Sequence, residues 1–72
     1  MNGDENSGVE YLVSVAKAAT KGTQVHIQAL HSLGLAGGTI AQQYLISVAK
    51  TATNGTKVHI AALEALGRAC RA

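Results

Sequence analysis

Thr56–Gly67 reads TKVHIAALEALG, and the same phrase stands earlier in the chain as Thr23–Gly34, TQVHIQALHSLG, 33 residues before it. Working outward from these twelve positions, the match runs back without a gap to Val9 and Gln42, and 17 of 26 positions are identical. Tyr11/Tyr44, Leu12/Leu45, Lys17/Lys50, Gly22/Gly55, His26/His59 and Leu33/Leu66 all fall in register. A fixed period of this size marks a stacked repeat, in which each unit buries its apolar face against the next.

The repeat decides how the rest is read. Thr23 and Thr56 stand where helix caps are wanted, each after a glycine able to end the preceding helix. Ser7-Gly8-Val9-Glu10 has the spacing of a capping box, and Thr39-x-x-Gln42 nearly repeats it. The reading is four helices: about Val9 to Thr20, Thr23 to about Ala36, Thr39 to Asn54-Gly55, and Thr56 towards Cys70. Gly37 and Gly38 break the chain between the second and third. Turns of two or three residues make neighbouring helices antiparallel. The predicted fold is therefore all-α, two stacked antiparallel helical hairpins in an α-solenoid. Residues 7–72 form a single domain of two 33-residue units, about 7–38 and 39–72, behind a polar tail, Met1–Asn6, expected to be disordered.

Helical projection shows what each helix must bury. On the fourth, Lys57, Glu64, Arg68 and Arg71 share a narrow sector with Ala61, while apolar or small residues fill an arc of roughly 220°. One neighbour cannot cover so wide an arc. On the third, Tyr44, Val48, Ala41, Ala52, Leu45 and Ala49 form a narrower face, and Ile46 stands apart beside Lys50.

YLISVAKTATNGTKVHIAALEALGRA also resembles the short HEAT-like repeats of the phycobilisome-lyase type. Their first helix ends "LIxALxD" and their second reads "VRxAAxxALG". Leu45, Ile46 and Ala49 match the first pattern. Val58, Ala61, Ala62, Ala65, Leu66 and Gly67 match the second, as do Val25, Ala29, Leu33 and Gly34 in the earlier copy. Leu33–Thr39 resembles the "LGxIGD" link between units. His26 and His59 replace the family's Arg, and Gly38 its linking Asp, so the Arg–Asp contact that holds the turn is missing. The resemblance implies a right-handed solenoid that binds protein. The Thr-Pro-Leu-His signature of ankyrin and the Trp and Pro of tetratricopeptide repeats are absent.

Composition narrows the function classes. The chain has 72 residues, 47% hydrophobic and only 14% charged, with no Phe, Trp or Pro. Its net charge of +2 comes from dispersed cations, and nucleic-acid binding calls for a clustered basic patch. No apolar run approaches the roughly 20 residues of a membrane span. Met1–Gly8 lacks the apolar centre of a secretory signal. The single cysteine, Cys70, cannot pair internally and fits a reducing, cytoplasmic compartment.

Chemistry is sparse. His26 and His59 invite a metal or pH-sensing reading, but a repeated unit repeats its packing histidine, with one ring nitrogen bonded to a turn carbonyl. Zinc needs three or four ligands; His26 and His31 diverge around the helix, and His59 and Cys70 lie three turns apart. The amides at Gly22-Thr23 and Gly55-Thr56 lack a phosphate-loop sequence. Outside the tail only Glu10 and Glu64 are acidic, and each suits a cap or a solvent stripe. Tyr11 and Tyr44 read as core-edge residues. No catalytic, cofactor-binding or metal residue is therefore assigned, no cofactor is expected, and the chain reads as no enzyme.

The expected function is a non-catalytic protein-interaction module. Its expected surface is Gln24, Gln28, His31, Lys57, Ala61, Glu64 and Arg68, positions that differ between the copies or fill the polar sector. Two units are few for a repeat array, so self-association as a two-fold dimer is expected, through Ile60, Leu63 and Cys70 or through Ala65 and Ala69. Two other readings stay open: a purely structural or engineered self-assembling bundle with no natural ligand, and a helical repeat that contacts nucleic acid.

Overall fold

The computed structural model describes residues 2–71, with side chains from residue 7 onward. Among them are four helices and no strand: α1 Asn2–Ala18, α2 Gln24–Ala36, α3 Gly38–Thr51 and α4 Lys57–Arg71. The all-helical expectation holds. Two starts differ from the sequence reading. α1 begins at Asn2, so Ser7 stands inside a helix, and residues 2–6, expected as a disordered tail, have helical backbone. α3 begins at Gly38, with Gly37 at its cap and no side-chain capping bond, so the Thr39–Gln42 box is not made. Gln42 instead donates from Nε2 to the carbonyl of Ala69 at 3.3 Å. That carbonyl lies in the last turn of α4, where intrahelical donors run out.

The break between α2 and α3 is a single residue. The Gly37 amide closes α2 on the Leu33 carbonyl at 3.0 Å, with φ 69° and ψ −166°. An L-residue with a side chain avoids that region, so glycine is required there.

The core is built from small aliphatic side chains: Leu30, Leu33, Ala41, Leu45, Val48, Val58, Ala61, Ala62, Ala65 and Ala69. α4 packs most closely, meeting α2 along one side and α3 along the other, while α1 lies mainly on α2. Such close packing needs helices without bulk between them, and Gly34 supplies the closest point. A methyl group at Gly34 would stand 2.8 Å from both the Cα and the carbonyl oxygen of Ala65. Helix backbone cannot yield there without the two helices separating.

Only half of the wide apolar arc on α4 is covered. Of its members Val58, Ala62, Ala65 and Ala69 are buried, whereas Ile60, Leu63, Gly67 and Cys70 are exposed. Ile46 is exposed, as its place beside Lys50 suggests, and Val13 packs on the rim of the core.

The two copies are buried on opposite sides. His26, Leu30, Leu33 and Gly34 are buried, while His59 and Leu66 are only half-buried and Leu63 and Gly67 are exposed. Conversely Leu45, Val48, Val58, Ala61, Ala65 and Ala69 are buried, while Leu12, Val15 and Ser32 are half-buried and Val25, Gln28 and Ala36 are exposed. Ala29 and Ala62 are buried in both.

The glycine pair gives a test with opposite signs. Gly34→Ala is expected to destabilise the chain by about 1–3 kcal/mol through overpacking. Gly67→Ala, with nothing within 4 Å of the added methyl, is expected to stabilise the isolated chain by up to about 1 kcal/mol through helix propensity. Urea unfolding of dilute protein measures both, and equal effects would contradict the close approach.

Candidate interaction surface

Each copy carries the same turn, Thr20-Lys21-Gly22-Thr23-Gln24-Val25-His26 and Thr53-Asn54-Gly55-Thr56-Lys57-Val58-His59. Its hydrogen bonds repeat atom for atom. The amide of Thr23 donates to the Thr20 carbonyl at 3.2 Å and its hydroxyl donates to the same oxygen at 2.7 Å. Thr56 does both to Thr53 at the same distances. The threonine Oγ1 then accepts from the amide of His26, and of His59, at 3.3 Å. Gly22 and Gly55, at φ 85° and 82°, take the positive-φ position at the third residue of the turn.

The histidines complete the motif in a sense opposite to the sequence reading. Nδ1 of His26 accepts from the Gly22 amide, and Nδ1 of His59 from the Gly55 amide, each at 3.3 Å. The ring caps a turn amide, and a donor to a carbonyl is the wrong polarity. Both rings therefore carry their proton on Nε2 when neutral. His26 is buried and His59 half-buried, and the expected bond to the turn is made with its acceptor and donor exchanged. Burial, and then the nearby Lys21 cation, hold the His26 pKa below its ordinary value. Burial alone raises that of Tyr44, which lines the same cavity as His26, Lys17 and Lys21.

The seven expected surface residues do not form one surface. Gln24 and Gln28 are exposed and line a groove of about 670 Å³ between α1 and α2, with Tyr11, Leu12, Val15, Val25, Ala29 and Ser32. His31, Lys57 and Glu64 meet in a smaller cleft between α2 and α4, of about 240 Å³, with Ile27 and Ile60. Arg68 lies beyond it with Glu64, Gly67 and Arg71. Ala61 needs correction, since it is buried against the core and borders that cleft only from beneath. Its place beside the polar sector of α4 does not expose it, because α2 closes over that side.

The expected self-association face also divides. Ile60, Leu63 and Cys70 are exposed. Ala65 and Ala69 are buried inside the chain against neighbouring helices, so they offer no outer face. The groove floored by Tyr11, Val15 and Val25 was not foreseen. Its signal was present in Val25, the copy of the buried Val58, which stands in the open on the outer side of α2.

Among the described residues no three of His, Cys, Asp and Glu stand close enough to hold a metal ion, and no helix is long and apolar enough to cross a membrane. Compared with protein-family models, with curated proteins and with solved structures, the chain matches none.

A pH titration tests the capping geometry. The His26 pKa is lowered on folding, so the unfolded chain binds the proton more readily. That contribution is whole above the unfolded value of about 6.5 and is lost as pH falls through the lower folded value. Stability is expected to decline on acidification over that window. The part of the decline due to this ring should vanish in His26→Gln, as followed by urea midpoints at each pH. A midpoint that rises on acidification, or the same slope in the variant, would refute it.

Proposed function

We propose that this chain is a non-catalytic helical-repeat module whose two antiparallel hairpins, α1–α2 and α3–α4, stack as successive turns of a short solenoid. Its work is to bind protein through its exposed faces, including other copies of itself. The observation that carries this reading is the reciprocal burial of the copies. What the first unit buries on its α4-facing side, the second leaves open. What the second buries on its α2-facing side, the first leaves open. A one-unit translation accounts for that pattern, and it leaves an apolar surface at each end. The resemblance to short HEAT-like repeats points to the same class, which offers surfaces and carries out no reaction.

The exposed side chains support binding over storage or plain structure. Tyr11, Val25, Leu35, Ile60 and Leu63 are all at least half exposed. Five large apolar side chains in the open on so small a chain are a surface awaiting a partner. Lys57 borders one cleft with Glu64 and another with Lys21; Lys17 and Lys21 line a third, and Arg68 and Arg71 stand at the end of α4. None of these clefts gathers more than two cations, fewer than a stripe along a phosphate backbone calls for.

The equivalent leucines test the stacking. Leu30 is 0% exposed and Leu63 is 50% exposed. Leu30→Ala is expected to destabilise the dilute chain by about 2–5 kcal/mol, and Leu63→Ala by well under half of that. Equal losses would end the stacked reading. Retention on a polyanion column beyond low salt would favour nucleic acid as the partner.

A further inference from the structure

The ends of the chain are related to each other as its halves are. Inside the chain, α2 presents Ile27, Leu30 and Gly34 towards the second unit, and Gly34 admits the backbone of Ala65. One period later α4 presents Ile60, Leu63 and Gly67, and a methyl added at Gly67 meets nothing within 4 Å. At the opposite end, Val25 and Ser32 occupy the positions of Val58 and Ala65. Val58 is 8% exposed and Val25 is 58% exposed. The groove there is bounded by Tyr11, Leu12 and Val15, the copies of Tyr44, Leu45 and Val48. Knob and hollow are thus both built, at opposite ends of one molecule.

We propose that the α4 face of Ile60, Leu63 and Gly67 docks into the α1–α2 groove of a second copy of this chain, head to tail, in the register by which α2 meets α4 within one copy. This rests on the stacked reading above. The residues that break the repeat support it, because they change in matched places. Ala61 and His31 border one cleft inside the chain. Their counterparts are Gln28 on the groove side and Glu64 on the face side. A joint in the same register sets the Gln28 amide, a donor, opposite the Glu64 carboxylate, an acceptor. Ser32 replaces Ala65 against the glycine and keeps a small side chain where the backbones must approach.

A two-fold pairing of α4 faces is the competing arrangement. It would set the hollow at Gly67 against another hollow and leave the groove open in both copies. The head-to-tail joint covers face and groove together. It is heterologous, so it adds copy after copy unless the rotation closes a ring.

The test blocks one end at a time. Val25→Glu closes the groove, Leu63→Glu closes the face, and both sites are exposed, so both variants are expected to keep parent helicity by far-ultraviolet circular dichroism. Sedimentation equilibrium is run on the parent, each variant and their equimolar mixture under reducing conditions. The parent mass is expected to climb past that of a dimer with concentration, and each variant alone to stay at 7.3 kDa. The mixture is expected to form a pair and stop, because one joint uses the only two open ends. Gly67→Ala should weaken association by about tenfold or more while raising the melting temperature of the dilute chain. A dimer of Val25→Glu alone would show a two-fold α4 joint, and a dimer of Leu63→Glu alone a two-fold groove joint; either overturns the proposal. So does a parent that remains monomeric. If that parent still loses far more stability on Leu30→Ala than on Leu63→Ala, the joint alone has failed; if the two losses match, the stacked reading has failed with it.

Discussion

The approach of Gly34 to Ala65 sets the scale of everything around it. With 2.8 Å between the missing Cβ and helix backbone, α2 and α4 are closer than any larger residue would allow. At that distance the space between helices is filled by methyl groups. The alanines at 29, 61, 62, 65 and 69 therefore serve as core, where a looser bundle would need aromatic side chains. A chain without Phe or Trp gains its dispersion energy from many short contacts instead of a few large ones. The same tightness makes the core intolerant, since a single methylene has no void to enter.

The repeated turn holds these helices at a fixed entry. Of its four hydrogen bonds, three engage amides, those of Gly22, Thr23 and His26, and the fourth is the Thr23 hydroxyl donating to the Thr20 carbonyl. Histidine suits this place where a cationic side chain would not. A guanidinium can only donate, whereas neutral Nδ1 accepts. The ring seeks an amide, so it needs no carboxylate partner at the turn. The device couples turn geometry to protonation, and burial of His26 places the uncharged form in favour.

Under the proposed stacking, translation of one unit onto the next gives a chain with little chemistry two distinct ends. Matching residues of the two copies then fall one inside and one in the open. Leu30 and Leu63 share a neighbourhood in sequence and differ in exposure because the described helices cover one and leave the other open. Under the proposed function, binding reuses the energy that holds the monomer together, and specificity comes from the few positions where the copies differ.

The sequence by itself determined the helices, the 33-residue period, the glycine breaks and the apolar arcs, because these follow from local spacing and from identity between copies. It also placed Ile60, Leu63 and Cys70 on an open face. It misjudged what depends on neighbours. Ala61 lies beside charged residues on its own helix yet is buried, since α2 closes over it; Ala65 lies under Gly34 of α2, and Ala69 is buried as well. Gln42 matches a capping spacing yet spends its amide on α4, because the Ala69 carbonyl there lacks a donor. The polarity of the histidine bond was hidden too, since a ring nitrogen accepts or donates according to the group that folding brings to it. Projection of one helix gives directions around an axis, and only the packing of four helices decides which of those directions ends in protein and which in water.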